Sequence, residues 1–226
     1  MLKCLVIITY MLILDTILEF IFPVNCVSCK TKGAYICSKC LSLSPEAERE
    51  TEKWIFPIYD YRHPPIKKSI WFLKYKGKTS LAKVFADALY SRILEEVAEK
   101  MLMENFNNPI LIPIPLSSRR LRERGFNQAE IICDEIMKID RNQNLTLIKN
   151  VLKRKEDKFH QAKIKDRKQR LENIIDCFKI DNPESIKGRN IVIIDDVTTT
   201  GATLKEARKV LREAGTKKII AFTIAH

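Results

Sequence analysis

Two hydrophobic patterns alternate along the second half of the chain. Short runs of mostly aliphatic residues occupy 109–116, 188–195 and 217–225, and such runs are typical of strands buried on both faces. Between them, apolar residues recur with helical spacing in 125–139 and 201–215. Alternating strands and helices predict an α/β fold in which helices flank a mostly parallel sheet.

The first half of the chain fits the same architecture with weaker signals. An aromatic stretch at 54–61 predicts an edge strand, because Pro57 cannot donate a hydrogen bond to a neighbouring strand. Pro64 and Pro65 favour the start of a helix that carries lysines on one face. The other predicted elements are a helix over 80–103 and strands over 145–154 and 173–180.

The N-terminus contains an apolar run that allows two interpretations. Residues 5–14 follow Lys3 and resemble the core of a signal peptide, but no small-residue cleavage site follows them. Asp15 and Glu19 interrupt the apolar run, so a membrane span of about 20 residues does not fit. We therefore expect an amphipathic helix over 14–22 and a cytoplasmic protein.

Composition narrows the class of ligand. The chain has 226 residues and only six glycines, and neither G-x-G-x-x-G nor G-x-x-x-x-G-K-[ST] occurs in it, which argues against Rossmann and Walker nucleotide sites. Lysines and arginines number 40 against 28 acidic residues, for a net charge of +12. This excess suits phosphate groups, free or in nucleic acid; a solubilising surface is the alternative.

Four of the seven cysteines form two closely spaced pairs. Two residues separate the members of each pair, and this spacing is typical of a structural zinc site with four thiolates. The four predicted ligands are Cys26, Cys29, Cys37 and Cys40. Two disulfides or four free thiols are the alternatives, and a cytoplasmic setting disfavours the disulfides. The scattered cysteines are predicted to be small buried side chains: Cys4, Cys133 and Cys177.

The stretch IVIIDDVTTTGATL, residues 191–204, joins a predicted buried strand to two acids and a hydroxyl-rich loop. Ligands of open α/β sheets bind beyond the carboxyl ends of strands, where Asp195 and Asp196 are predicted to lie. Their carboxylates can accept hydrogen bonds from a sugar diol, while the threonines, Gly201 and the following helix N-terminus suit a phosphate. A simple helix cap explains one threonine and one acid only. A receiver-type acid pocket would come earlier in the chain.

The segment VIIDDVTTTGAT resembles the motif that binds phosphoribosyl pyrophosphate (PRPP) in type I phosphoribosyltransferases. The resemblance implies that Asp195 and Asp196 hold the ribose 2′- and 3′-hydroxyls. It also implies that Mg²⁺ accompanies the diphosphate of PRPP. The residues that it places around the 5′-phosphate are Val197, Thr198, Thr199, Thr200, Gly201, Ala202 and Thr203.

Three further stretches resemble the ComF family, whose members serve bacterial DNA uptake and are built on this domain. They are LIPIPLSSRRLRERGFNQAE at 111–130, RKEDKFHQAKIKDRKQRLENIIDCF at 154–178 and the four-cysteine segment. The resemblance runs from about residue 14 to the end of the chain. In the second stretch the family usually has a threonine where this chain has Phe159 or His160.

Two basic segments are candidates for binding the pyrophosphate group of PRPP. The first follows a predicted strand and consists of Ser117, Ser118, Arg119 and Arg120. Backbone N–H groups and guanidinium forks bind phosphate well, and a solvated helix face is the alternative for these arginines. The second, 154–170, has the place of the mobile loop that covers the active site in phosphoribosyltransferases, where Arg154 would stabilise departing pyrophosphate. A surface hairpin is the alternative there.

These assignments predict two modules and two competing functions. Residues 1–50 would form an N-terminal helix and a zinc finger, and 51–226 a phosphoribosyltransferase-like domain, with a hood-like segment over 54–105 and a PRPP-binding core over 108–226. One hypothesis is an enzyme, a glycosyltransferase that moves the phosphoribosyl group of PRPP to an unknown acceptor. The other is a non-catalytic module that senses PRPP, or that binds single-stranded DNA and proteins of the uptake machinery such as its helicase.

The segment IKKSIWFLKYKGK bears on the second hypothesis. Trp71 and Tyr75 lie among lysines and are candidates for stacking on nucleic-acid bases. Aromatic residues of this kind more often pack in a protein core. The sequence leaves both interpretations open.

Overall fold

The computed structural model describes residues 24–48, 52–155 and 176–226. They fall into two compact units, with the division between Ser44 and Pro45. The expected module boundary after residue 50 and the division into a hood and a core stay predictions. The predicted N-terminal helix lies outside the described residues.

The larger unit is built on a five-stranded sheet in which every pairing is parallel. Its strands are β1 Ile55–Tyr59, β2 Ile110–Pro113, β3 Thr146–Leu147, β6 Ile191–Val197 and β7 Ile219–Ala225. They lie in the order β1-β7-β6-β2-β3. The predicted parallel α/β fold is confirmed, and β1 lies at an edge of the sheet, where Pro57 is tolerated.

Six α-helices occur in the described residues. They are α1 Ser38–Ser42, α2 Pro64–Tyr75, α3 Ser80–Glu104, α4 Ser118–Arg124, α5 Gln128–Ile139 and α6 Ala202–Glu213. The side chain of Asn127 caps α5, because its Oδ1 accepts a hydrogen bond from the Ala129 N–H group at 3.1 Å. The longest helix, α3, has 25 residues and packs against α5 and β7. Within the described ranges, no helix combines the length and the apolarity that crossing a membrane requires.

A second, smaller sheet corrects one prediction. The segment 145–154 forms two strands instead of one: β3 in the main sheet, and β4, Leu152–Arg154, which pairs antiparallel with β5, Phe178–Ile180. Between them the chain bends, and Val151 enters the core. Both strands contain apolar residues, so the hydrophobic pattern alone does not reveal the bend. Of the strand predicted over 173–180, the described part is β5 and the two residues before it.

The core determines where β6 ends. This strand lies between β7 and β2, and the four residues before Asp195 are 0% exposed. Fully burying one such aliphatic side chain stabilises the fold by about 1.5–3 kcal/mol. The register of the sheet pairs Ile194 with Phe222, whose ring stacks on Phe56 at a centroid distance of 5.2 Å. The buried run of β6 therefore stops at the carboxyl edge of the sheet, where the two acids begin.

Candidate functional site

The acid pair, Asp195 and Asp196, lies at the carboxyl end of the central strand β6. The Asp196 N–H group donates a hydrogen bond to Asp195 Oδ1 at 2.8 Å, which holds the Asp195 carboxyl against its own strand. Asp196 is only 8% exposed. Two largely buried carboxylates repel each other, so cations or hydrogen-bond donors must offset their charge.

Lys74 supplies part of that offset from a distant part of the chain. Its Nζ lies 2.7 Å from Asp196 Oδ1, and the two side chains are only 16% and 11% exposed. Sequence reasoning placed this residue on the basic face of α2 and missed the contact. A signal was present, because Lys74 follows the buried residues Ile66 and Ile70 at intervals of four and so continues the buried stripe of the helix.

The Asp195 carboxyl is poised near neutral pH. Burial, and then repulsion from Asp196, raise the pKa of Asp195 to about 7, while the hydrogen bond from the Asp196 backbone and the charges of Lys74 and Arg120 oppose the rise. The protonation state of Asp195 therefore depends on the ligand that binds beside it. A ligand that donates hydrogen bonds to its carboxylate favours the ionised form.

The loop after the acid pair contains a buried hydroxyl without a partner. Thr198 is 4% exposed, and its N–H group donates to the Ala225 carbonyl oxygen at 3.0 Å. Its Oγ1 has no hydrogen-bond partner within the described part of the chain. An unpaired buried hydroxyl in a native protein indicates a ligand or a water. Gly201, with a φ of +70°, then turns the backbone into α6.

The structure divides the predicted 5′-phosphate residues among three elements. Val197 belongs to β6, whereas Ala202 and Thr203 belong to the first turn of α6, so the loop itself is only 198–201. Val197 is taken into the strand because it pairs with Ala225 of β7. The N-terminus of a 12-residue helix follows the loop, and its unpaired N–H groups suit an anion.

The predicted pyrophosphate loop is the start of a helix, which was the alternative interpretation of these arginines. Ser117 caps α4, because its Oγ accepts a hydrogen bond from the Arg120 N–H group at 3.4 Å. Ser118, Arg119 and Arg120 form the first turn of α4. Arg119 is exposed and lies 3.7 Å from Glu123. Arg120 is thus the arginine of this segment whose charge acts on Asp195.

Arg154 is the last residue of β4 and lies where the predicted strand ends and the predicted mobile loop begins. Its guanidinium group lies over the Phe178 ring at 5.6 Å from the centroid. Its Nε is buried and has no hydrogen-bond partner among the described residues. The rest of the predicted mobile loop, from 156 to 170, lies outside the described residues, as do Phe159 and His160.

The four clustered cysteines form the second candidate site, within residues 24–44. Their sulfur atoms all lie within 4.8 Å of one another, and the Sγ atoms of Cys29 and Cys37 are 3.6 Å apart. Zn–S bonds of about 2.3 Å in a tetrahedron separate neighbouring sulfurs by about 3.8 Å. Hydrogen bonds from Thr31 lower the pKa of Cys29 to about 6, which favours a thiolate. This donor set fits a tetrahedral metal ion such as zinc.

The other described cysteines lie outside this cluster. Cys133 is fully buried in α5, and burial raises the pKa of its thiol. Cys177 is half-buried and packs against the core. Cys133 is therefore a small buried side chain, as predicted, whereas Cys177 is buried only in part. Cys4 lies outside the described residues.

Comparison with protein families identifies the domain to which the larger unit belongs. The family model for the phosphoribosyl transferase domain matches residues 85–226, which is more than half of the chain. The chain therefore belongs to the phosphoribosyl transferase domain family. Lys74 lies before the matched segment, so this contact to the acid pair comes from outside the part that the family model covers.

Named relatives support the narrower resemblance to the ComF family. Competence protein F of Haemophilus influenzae is 26% identical over 209 residues, which covers 90% of this chain and 85% of that protein. Competence protein ComFC of Bacillus subtilis is 30% identical over 168 residues, or 74% of this chain and 62% of that protein. DNA utilization protein YhgH of Shigella flexneri is 28% identical over 181 residues, which covers 79% of this chain and 72% of that protein.

Solved structures of hypoxanthine phosphoribosyltransferase from Trypanosoma cruzi are also similar. One is 14% identical with a TM-score of 0.40, and the match spans 63% of each chain. At this level of similarity, the fold assignment rests on the family match and on the sheet itself.

Proposed function

We propose that this protein binds PRPP at the carboxyl end of β6 and transfers its phosphoribosyl group to an acceptor. The observation that carries the proposal is the acid pair, offset by Lys74 and followed by a loop whose buried Thr198 hydroxyl has no partner among the described residues. Asp195 and Asp196 accept hydrogen bonds from the ribose 2′- and 3′-hydroxyls. The loop 198–201 and the first turn of α6 bind the 5′-phosphate.

The pyrophosphate lies on the side of Arg120 in this proposal. The C1′–O bond to pyrophosphate breaks as the acceptor attacks C1′, so positive charge grows on the ribose ring. The nearby carboxylates of Asp195 and Asp196 stabilise that charge. Ser117, Ser118, Arg119 and Arg120 receive the departing pyrophosphate, and Arg154 contacts it from the end of β4. Mg²⁺ bound to the diphosphate would neutralise part of its charge.

The biological setting follows from the relatives. Two of them are named competence proteins and a third a DNA utilization protein. We extend the proposal to DNA uptake or related nucleotide metabolism in the cytoplasm, with proteins of the uptake machinery, such as its helicase, as partners. The four cysteines would hold a structural Zn²⁺, since all four positions of a tetrahedral site are protein ligands.

Turnover separates the enzyme from a module that only senses PRPP. The test incubates the full chain with PRPP, Mg²⁺ and a panel of bases, amines and oligonucleotides, and follows pyrophosphate release. An enzyme gives release that depends on one acceptor and that disappears in the Asp195→Asn/Asp196→Asn variant. PRPP binding without release for any acceptor would favour the sensor. Absence of PRPP binding would contradict both.

A further inference from the structure

One face of α2 is exposed, aromatic and basic. Between residues 61 and 86 the chain has seven lysines and arginines and no aspartate or glutamate. Trp71 is 43% exposed and Tyr75 is 59% exposed. The interpretation that these two aromatics are core residues is therefore wrong. The buried stripe of α2 consists of Ile66, Ser69, Ile70 and Leu73.

Cations flank the two exposed rings. The ring centroids of Trp71 and Tyr75 are 6.1 Å apart. Lys76 Nζ lies 5.3 Å from the Trp71 centroid, and the Arg124 guanidinium lies 5.0 Å from the Tyr75 centroid. Lys68 Nζ lies over the neighbouring Phe72 ring at 5.7 Å. These cations therefore lie on aromatic rings, and in the described residues no ion pair of Lys68, Lys76 or Arg124 with an acid occurs.

This surface reaches the acid pair through two helices. In α2, Lys74 comes three residues after Trp71, so the two side chains are neighbours on the helix, and Lys74 contacts Asp196. In α4, Arg120 lies one turn before Arg124, and its charge acts on Asp195. A helical turn is about 5.4 Å long. The exposed rings therefore lie on the helix that contacts Asp196, and Arg124 lies on the helix whose Arg120 acts on Asp195.

We propose that Trp71 and Tyr75, with Lys68, Lys76 and Arg124, form a platform that binds single-stranded nucleic acid beside the acid pair. Unpaired bases of any sequence stack on exposed rings, and neighbouring cations bind the phosphates. A duplex keeps its bases stacked inside, and an acidic peptide has no flat rings to stack. The proposal deepens the DNA-uptake part of the proposed function and does not depend on phosphoribosyl transfer.

The outer face of α6 offers a matched control. Four cations, Lys205, Arg208, Lys209 and Arg212, line an open groove of about 480 Å³ there, together with Glu52 and Glu213. The aromatic residue of that groove, Trp54, is only 8% exposed, and the Arg208 guanidinium covers its ring at 4.3 Å. This surface is basic, but its aromatic ring is buried, whereas those of Trp71 and Tyr75 are exposed. The groove has an excess of two cations over acids, so nucleic-acid binding by charge alone would use it as well as the α2 face.

Tryptophan fluorescence tests the stacking directly, because the chain has only two tryptophans. Titration of a 20-nucleotide oligothymidylate should quench the exposed Trp71 of the full chain and leave the emission of the buried Trp54 unchanged. Trp71→Phe should abolish the quenching but retain binding in fluorescence anisotropy, since phenylalanine still stacks. Undiminished quenching in Trp71→Phe, or no binding by the wild type at low salt, would overturn the proposal.

The salt dependence of oligonucleotide binding distinguishes stacking on the rings from attraction by the charges. Trp71→Ala/Tyr75→Ala should weaken oligonucleotide binding about tenfold or more and leave the slope of log K against log salt unchanged. Lys68→Ala/Lys76→Ala should reduce the magnitude of that slope by about 1.4, or about 0.7 for each phosphate contact. The control Lys209→Ala/Arg212→Ala removes the same charge and should change neither the affinity nor the slope. An equal loss in the control, or equal displacement by an acidic peptide, would overturn the platform.

Binding of PRPP and binding of the oligonucleotide test the proposed PRPP site and the platform separately. Asp195→Asn/Asp196→Asn should lose PRPP binding and retain oligonucleotide binding, whereas Trp71→Ala/Tyr75→Ala should do the reverse. If the wild type binds the oligonucleotide but not PRPP, the proposed function fails and the platform stands. If it binds PRPP but not the oligonucleotide, only the platform fails.

Discussion

The acid pair and the four-cysteine cluster differ in the number of buried apolar residues around them. The acid pair follows a fully buried stretch of the main sheet, whereas the cysteines have few buried apolar neighbours. The four residues that precede Asp195 are 0% exposed, and β6 has a strand on each side. In the described part of the smaller unit, the buried apolar side chains are Cys26, Ile36 and Leu41. Because so few buried apolar side chains occur there, we expect a bound metal to contribute to the folding of residues 24–44.

This difference predicts a different role for the ligand in each region. The acid pair is formed before its ligand arrives, because the sheet holds it in place. Four thiolates would repel one another without a cation, so we expect the metal to help create its own site. Changes at the first region should alter binding and leave the fold intact. Changes at the second should alter the fold of residues 24–44.

The largest expected effect is the loss of zinc. Apparent binding energies of structural zinc in zinc-finger peptides are about 10–16 kcal/mol, and they are folding energies. Cys29→Ser should therefore remove most of the bound zinc and unfold the smaller unit, while PRPP binding persists. Metal analysis and hydrogen exchange of the backbone amides of 24–44 measure the two effects. The control is Cys177→Ser, outside the cluster, which should keep one zinc per chain.

A zinc-free wild-type protein, purified without chelators and with protected amides in 24–44, would contradict this prediction. The four-cysteine site would then form without its metal, as the acid pair forms without its ligand, and the contrast between the two sites would be wrong.

The next largest effect concerns the acid pair. Asp195→Asn/Asp196→Asn keeps the size of both side chains and removes two charged acceptors. Each hydrogen bond to a charged group contributes about 1.5–3 kcal/mol, so PRPP binding should weaken by about a hundredfold or more. Calorimetric titration with Mg²⁺ measures the affinity, and zinc content should not change. Asp181→Asn, at an exposed acid, is the control; equal affinity in the double variant and the wild type would exclude these acids from the ribose site.

A smaller effect is expected for the ion pair that links α2 to the acid pair. Lys74→Met leaves Asp196 without its cation, and because the pair is largely buried, the free energy of unfolding should fall by about 2–4 kcal/mol. Lys74→Arg should lose less, since it restores the charge. Urea unfolding measures both. The matched control is Lys76→Met at an exposed position, and a comparable loss there would show that the contact to Asp196 is unimportant.

The smallest effect is the pH dependence. The pKa of Asp195 is about 7 in the folded protein against 3.8 for an ordinary aspartate, so the folded state binds the extra proton between these values. The contribution of Asp195 to stability therefore falls as pH rises from about 4 to about 7. PRPP binding should show the opposite trend and tighten by up to about tenfold from pH 6 to pH 8, as the carboxylate ionises.

Asp195→Asn separates this effect from titration of the phosphates of PRPP. The variant should show a flatter pH dependence of PRPP affinity, measured by calorimetry. Its melting temperature should also exceed that of the wild type by more at pH 8 than at pH 5. An unchanged pH profile in the variant would assign the dependence to the ligand.

Local patterns of the sequence determined much of this protein. The mostly aliphatic runs predicted β2, β6 and β7, because a strand buried on both faces needs apolar side chains at nearly every position. The spacing of Cys26, Cys29, Cys37 and Cys40 predicted one cluster, since short hooks can bring thiolates together without distant contacts. The two acids after β6 were predictable because strand end and acid are adjacent in the chain.

Only the tertiary structure decided the contacts between distant segments. Lys74 and Asp196 meet because the end of α2 lies near the carboxyl edge of β6, and no local pattern encodes that distance. The exposure of Trp71 and Tyr75 depends on which face of α2 packs on the body. The bend between β3 and β4 depends on strand partners that are remote in sequence. Sequence spacing specifies local geometry, whereas burial and charge pairing depend on the whole packed chain.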